Sequence, residues 1–281
     1  RDFHGTILGR FPPKRLKKDA PVSRLATLYK STLGKKFIVA ITGIVMVGFL
    51  IGHAGGNLKI FLPPVDAGPG EGMQPDIDYY AHYLREIGVP LLPHAAFLWV
   101  ARLVLLVSLI LHVVCVLQLS TGNTTARKVE YASRKYARAT NPARWMMYTG
   151  SFLLFFIVVH LLHLTLGVFG GGFEHGKVYS NLYASFTNVV WVAFYVISLG
   201  IVALHLYHGV WSLFQTLGLD NPDRNRIFRR LAAVLSVGLF VGFIAVPTAF
   251  LTGIAKSPEV MMSSASVANG GPQAEEKKEQ E

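Results

Sequence analysis

Residues 186–217 read FTNVVWVAFYVISLGIVALHLYHGVWSLFQTL, a stretch of 32 residues that contains no Asp, Glu, Lys or Arg. An α-helix needs about 20 mainly apolar residues to cross the hydrocarbon core of a bilayer, so this stretch predicts a membrane-spanning helix. Its second half carries His205, a polar and titratable side chain that is costly to place in lipid. An intramembrane histidine is therefore a candidate functional residue.

Four further stretches are comparably long and apolar, at about 37–62, 95–119, 145–169 and 231–254. Only 15% of all residues are charged, whereas soluble domains carry about 25%. We therefore predict an all-α membrane protein with five transmembrane helices between residues 37 and 254. Residues 1–36 are expected to form a cytoplasmic basic arm, and residues 255–281 a disordered extracytoplasmic tail.

The basic residues of the loops predict the orientation in the membrane. Ten Lys and Arg residues precede the first span, six follow the second and four follow the fourth, whereas the first and third loops contain one each. By the positive-inside rule, the N-terminus is cytoplasmic and the C-terminus lies outside the cell membrane. The net charge of +11 is thus explained by topology and does not indicate binding of nucleic acid.

Four histidines fall in four of the spans, at two different depths. Counted from the cytoplasmic edge at 1.5 Å per residue, His53 and His160 lie roughly 22–25 Å into the membrane, and His112 and His205 roughly 12–18 Å. In an up-down bundle of four helices, the first helix is diagonal to the third and the second to the fourth. We therefore predict an outer pair, His53 and His160, and an inner pair, His112 and His205, each facing across the bundle.

Two imidazoles that fill both axial positions of a haem iron suit electron transfer. We therefore predict that four of the helices form an up-down bundle around two haems, with the four histidines as axial iron ligands. His163 and His208 each follow a proposed ligand by three residues and share its helix face, so the residues alone leave open which member binds. The single cysteine excludes a disulfide framework or a thiolate cluster.

Four segments resemble the ligand segments of the five-helix, dihaem cytochrome b subunits of succinate:quinone oxidoreductases. They are LIGHAGGN (50–57), LILHVV (109–114), FIVVHLLH (156–163) and ALHLYHGVWSLFQTLG (203–218). The resemblance runs from about residue 33 to 254, in helix order and in ligand order. It implies that His160 and His205 are ligands rather than the histidines three residues later, with His53 and His112 as their respective partners.

The resemblance implies that the chain is the membrane anchor of a succinate dehydrogenase or fumarate reductase. In such a complex a flavoprotein subunit oxidises succinate in the tricarboxylic acid cycle, and an iron–sulfur subunit relays the electrons to the anchor. Two b haems then pass them to a quinone of the respiratory chain, menaquinone in the dihaem type. The anchor is a non-catalytic electron-transfer subunit that itself holds no flavin, iron–sulfur cluster or succinate.

The chain departs from this family in two places. Some dihaem members carry a Glu near the fourth-helix ligand, whereas Ala203 and Leu204 are apolar here, which puts the family's proton coupling in doubt. The arm and the first loop, residues 63–93, are long for the family. We expect them to contact an extra small membrane subunit or a second copy of the complex.

Besides a purely structural anchor that has lost its cofactors, two alternative functions with a bound metal remain open. One is the dihaem cytochrome b subunit of another membrane dehydrogenase, such as a formate dehydrogenase or a hydrogenase, although the Gly-Val-Trp-Ser segment at 209–212 argues against it. The other is a non-haem membrane metalloenzyme that uses the two His-x-x-His pairs, although the spans contain no Asp or Glu. Lys59 and Arg102 lie within spans and are expected to snorkel or to pair with a haem propionate or a quinone carbonyl.

Overall fold

The computed structural model describes residues 26–27, 29–68, 72–125, 141–169 and 172–268. The helices are α1 (Thr32–Asn57), α2 (Asp76–Glu86), α3 (Ala96–Thr125), α4 (Asn141–His160), α5 (Val178–Phe186), α6 (Val189–Thr216), α7 (Asn225–Leu251) and α8 (Pro258–Ala268). A 3-10 turn, Leu58–Phe61, extends α1, and a π-helical turn, Leu161–Thr165, extends α4. Two short strands, β1 (Val65–Asp66) and β2 (Met73–Gln74), pair antiparallel between α1 and α2.

Five of these helices, α1, α3, α4, α6 and α7, are long and apolar enough to cross a membrane. This confirms the prediction of a mainly helical chain with five helices that are able to span a bilayer, and it indicates a multi-pass membrane protein. Helices α1, α4 and α7 begin four to six residues before the predicted spans, which started at 37, 145 and 231. Lys and Arg are good helix formers, so the helices continue through the basic residues that flank the apolar runs.

Local capping fixes the ends of the helices that carry the candidate ligands. The Ser31 hydroxyl accepts a hydrogen bond from the Gly34 amide at 2.9 Å, and the Asn188 side chain accepts one from the Val190 amide at 2.9 Å. Each bond satisfies an amide that has no partner within the helix. Helix α6 ends at Thr216, and Gly218 just beyond it has a φ of +70°, a left-handed conformation that glycine adopts without a steric penalty.

Helices α1 and α6 each pack against three other spanning helices, which for α6 are α1, α4 and α7. Helix α1 also packs against α3 and α7. The α6–α7 interface buries a cluster of side chains that includes Leu206, Trp211 and Phe243. On α3, by contrast, apolar side chains such as Leu103 and Ile110 are exposed, and a broad exposed apolar surface is typical of membrane contact.

A cap of short elements, consisting of β1, β2, α2, α5 and α8, packs at the end of the spanning helices where α1 finishes. Lys59 donates to the Asp76 carboxylate at 2.6 Å, and buried Asp78 accepts from the Tyr179 amide at 2.8 Å where α5 begins. The Tyr179 hydroxyl donates to the carbonyl of Lys256 at 2.9 Å. Burial raises the pKa of Asp78, and its hydrogen bonds from the α5 backbone oppose this increase.

The C-terminal segment differs from the expectation of disorder after residue 255, because α8 occupies Pro258–Ala268. The Ser257 hydroxyl accepts from the Val260 amide at 3.4 Å, and Glu259 in the first turn interacts favourably with the helix dipole. Residues 269–281, and the basic arm up to residue 25, lie outside the described part of the chain.

Candidate functional site

The outer pair brings together the end of α1 and the end of α4. The ring centroids of His53 and His160 lie 6.0 Å apart, and the two ring planes are nearly perpendicular, at 89°. His53 stacks on Phe49 one turn earlier in α1, with centroids 5.2 Å apart, and it also contacts Phe243 of α7. His160 contacts Phe156 one turn earlier in α4. Aromatic rings therefore surround both imidazoles and restrict their rotation.

The spacing of the outer pair fits a single metal ion between the two rings. A ring nitrogen lies about 1.1 Å from the imidazole centroid, and a metal–imidazole nitrogen bond is about 2 Å long. Two imidazoles on opposite sides of one metal ion therefore have their centroids about 6 Å apart, and the observed separation is 6.0 Å. The centroid separation thus agrees with bis-imidazole ligation, which needs two protein ligands and no third.

The inner pair is held by hydrogen bonds from neighbouring helices. His112 of α3 has its Nδ1 3.1 Å from the hydroxyl oxygen of Thr42 in α1. The same hydroxyl donates its single proton to backbone carbonyls one turn earlier, at 2.8 Å from Ile38 and 3.1 Å from Val39. When this proton points to a carbonyl, the hydroxyl oxygen can accept from His112, which requires the tautomer with the proton on Nδ1. In this tautomer the Nε2 lone pair is available for a metal ion.

His205 of α6 is held in the same way by α4. Its Nδ1 lies 3.1 Å from the hydroxyl oxygen of Thr149, and that hydroxyl donates to the carbonyls of Trp145 and Met146, both at 3.1 Å. His205 can therefore adopt the same tautomer, with the proton on Nδ1 and the lone pair on Nε2. The inner pair thus offers two imidazoles that are oriented by equivalent threonine contacts.

Glycines stand beside both rings of the inner pair. A Cβ atom on Gly43 would lie 3.9 Å from Cε1 of His112, and one on Gly150 would lie 3.4 Å from Cε1 of His205. Each glycine directly follows the threonine that binds the same histidine. The Thr-Gly dipeptide therefore supplies both the hydrogen-bond acceptor and the space that the imidazole occupies.

Helices α1 and α3 and helices α4 and α6 are thus two versions of one arrangement, which sequence reasoning missed. In the first helix of each packed pair, Thr-Gly precedes a histidine by eleven residues, from Thr42 to His53 and from Thr149 to His160. The second helix of each pair supplies the histidine that binds the threonine. The repeated Thr-Gly spacing is visible in the sequence and could have identified this internal repeat.

The second histidine of each His-x-x-His pair has different surroundings from the first. His163 is buried, stacks on Trp191 with centroids 3.7 Å apart, and has its Nδ1 3.2 Å from the Tyr195 hydroxyl. That hydroxyl also lies 3.4 Å from Nδ1 of His160. His208 contacts the edge of Trp211 instead, and its buried Nδ1 has no hydrogen-bond partner among the described residues.

A cavity of about 150 Å³ opens beside His163. Its lining includes Phe169, Phe173, Asn188 and Trp191. The π-helical turn Leu161–Thr165 contains His163, and such turns occur frequently at functional sites. The cavity therefore combines aromatic faces with a buried ring nitrogen, and Tyr195 connects that ring to the outer pair.

The two cations within the predicted spans also have partners. Lys59 forms the ion pair with Asp76 and lies 5.3 Å from the Tyr80 ring centroid. The Arg102 guanidinium lies 5.0 Å from the ring centroid of Trp99. The structure thus places Lys59 against the cap rather than against the histidines.

Comparison with known proteins found no relative of this chain. No family model matches the chain, and neither a curated protein nor a solved structure matches it.

Proposed function

We propose that this protein is the dihaem cytochrome b anchor of a succinate:quinone oxidoreductase. It would receive electrons from an iron–sulfur subunit and pass them through two b haems to a quinone, most simply menaquinone. The observation that carries this proposal is the internal repeat. Each predicted ligand pair takes one histidine from each half of the repeat, and both inner histidines contact a threonine hydroxyl through Nδ1.

The residues of the chain would hold and orient the two haems. His53 and His160 would bind the outer iron and His112 and His205 the inner iron, and each haem would supply one-electron redox chemistry at an iron without an open coordination site. The low polarity of the spans restricts water near the irons. The two sites at different depths would form a path for electrons across much of the bilayer.

The distribution of charge supports the proposed orientation and the proposed partners. The basic arm and the basic loops would lie on the cytoplasmic side, where they would bind the flavoprotein and iron–sulfur subunits. The cap would then lie outside the membrane. The exposed apolar side chains of α3 would contact lipid, an extra small membrane subunit or a second copy of the complex.

The cavity beside His163 is the best candidate for the quinone site. A quinone ring is flat and apolar and carries two carbonyl acceptors, so it suits a cavity with the Trp191 and Phe169 rings and an imidazole. The Tyr195 hydroxyl bridges His163 and His160, which places the cavity next to the outer pair. An exchange of Trp191 for Leu should raise the KM for quinone and leave the haem content unchanged.

The decisive test is the haem content of the purified complex and of histidine variants. We expect two haem b per chain by pyridine haemochrome assay, both reduced by succinate and reoxidised by a quinone. His53→Ala and His205→Ala should each remove one haem, whereas His82→Ala in the cap should remove none. A chain without haem would overturn the proposal and favour a non-haem metal site. Copurification with subunits of another dehydrogenase would favour that enzyme instead.

A further inference from the structure

We infer that Thr42 and Thr149 are positioning residues that tune the inner haem through the Nδ1 atoms of its two ligands. This inference rests on the proposed function and adds two residues that the resemblance did not assign. A hydrogen bond from Nδ1–H to an acceptor makes the opposite ring nitrogen a stronger electron donor to a bound metal. The two threonine hydroxyls would therefore favour the oxidised state of the inner iron.

The direction of the hydrogen bonds follows from the proposed ligation. A histidine that binds iron through Nε2 carries its proton on Nδ1, so it donates to the threonine hydroxyl at 3.1 Å. Each hydroxyl can accept this bond because a carbonyl one turn earlier, at 2.8–3.1 Å, is available for its own proton. Thr42 is buried, so little water is present to replace this contact.

The outer pair has no threonine contact of this kind among the described residues. His160 shares the Tyr195 hydroxyl with His163, at the longer distance of 3.4 Å. Within the described parts of the chain, the ring nitrogens of His53 have no hydrogen-bond partner, and its contacts are with the rings of Phe49, Phe243 and His160. Loss of the threonine hydroxyls should therefore change the inner haem and leave the outer haem as it was.

A third threonine serves to separate two roles of the hydroxyls, the stabilisation of a helix and the tuning of the haem potential. Thr248 in α7 donates to the carbonyls of Ile244 and Ala245 at 2.7 and 3.2 Å, as Thr42 and Thr149 do in their own helices. No histidine nitrogen is bonded to it among the described residues. Thr248→Val therefore removes the same backbone contact without touching a ligand and serves as the matched control.

The test is a redox titration of the haems in the purified complex of wild type, Thr42→Val, Thr149→Val and Thr248→Val. Valine has the shape of threonine but no hydroxyl. We expect the midpoint potential of one haem to shift to a more positive value in Thr42→Val and in Thr149→Val, and the other haem to keep its potential. Loss of that haem to an apoprotein scavenger should become faster, by about 10-fold or more. Thr42→Ser and Thr149→Ser should behave as wild type, and Thr248→Val should shift neither haem.

Two outcomes would overturn the inference without affecting the proposed function. One is a wild-type complex with two haems whose potentials are the same in both valine variants. The other is an equal shift in Thr248→Val. If the valine variants do not assemble, ¹⁵N NMR of histidine-labelled wild type decides, because the inference requires a hydrogen-bonded Nδ1–H on both inner ligands. A wild-type complex without haem would instead refute the proposed function itself.

Discussion

Replacement of Gly150 by valine should remove the inner haem and keep the outer one. A Cβ atom at this position lies 3.4 Å from Cε1 of His205, which is an ordinary contact, so Gly150→Ala should be tolerated. A γ carbon extends about 1.5 Å further, and valine in a helix has one strongly preferred rotamer, which limits its escape. The ring of His205 would have to move by about 1–1.5 Å to restore normal contact, whereas metal–ligand distances tolerate only about 0.2 Å.

The assay is haem content per chain, with a redox titration to identify the haem that remains. Overpacking costs about 1–3 kcal/mol, so the helices should assemble although the ligand is displaced. Gly43→Val should act in the same direction but less strongly, since its Cβ position is 3.9 Å from the ring of His112. Gly48→Val is the control, because among the described residues no atom beyond its chain neighbours and its own helical backbone lies within 4 Å of its Cβ position. Two haems with unchanged potentials in Gly150→Val would refute the placement of His205 as an iron ligand.

Three further predictions concern the cap and the outer pair. Burial raises the pKa of Asp78 in the folded state above its ordinary value of 3.8. The protonated carboxyl therefore stabilises the fold fully at a pH below 3.8. This stabilisation is lost as the pH rises through the folded-state pKa. Asp78→Asn should abolish that dependence in thermal melts, and Asp78→Ala should cost about 1–3 kcal/mol because an α5 amide loses its acceptor. Asp76→Asn should lower the free energy of unfolding by about 1–3 kcal/mol, between the values for exposed and buried ion pairs, because Lys59 loses its carboxylate partner. Glu174→Gln is the control, since its ion pair is exposed and 3.9 Å long, and it should change the melting temperature little. Tyr195→Phe should make the outer haem potential more positive and leave the inner one unchanged, and a shift of the inner potential would contradict the assignment.

The spanning helices could be predicted because lipid imposes a strong and local requirement. Each span must be apolar over about 20 residues, and that requirement is met without reference to the rest of the chain. The number of residues between each histidine and the cytoplasmic end of its span then paired His53 with His160, and their rings lie 6.0 Å apart in the structure. The helix ends were less predictable, because basic residues such as Lys35 continue the helix beyond the apolar run.

The cap could not be predicted, because long-range contacts rather than local periodicity hold it together. Asp78 binds the amide of Tyr179 across 101 residues of sequence, and the Tyr179 hydroxyl binds Lys256 across a further 77. Helix α8 lies in a segment of small polar residues whose composition indicates disorder. The Thr-Gly motifs are different, since their spacing is in the sequence but gains meaning only when the Thr42 hydroxyl is seen beside His112.

The internal repeat also explains how one scaffold can treat its two sites differently. At the inner pair the two halves use equivalent residues, Thr42 and Thr149, so both ligands are oriented alike. At the outer pair they diverge. Three residues after His160 stands His163, whereas the same position after His53 is Gly56, where a Cβ atom would lie only 2.9 Å from the Tyr80 ring.

The first half therefore uses this position to pack the cap against α1, and the second half uses it to place an imidazole beside a cavity. In the proposed function, electrons leave the protein from the outer haem. Among the described residues, only α4 and α6 connect an outer ligand to a cavity through polar groups, because Tyr195 links His160 to His163 at the cavity wall. Transfer to a quinone would then depend on the second half of the repeat alone. Exchange of His163 should slow reoxidation by quinone without changing haem content, whereas a side chain larger than glycine at position 56 should loosen the cap and leave reoxidation unchanged.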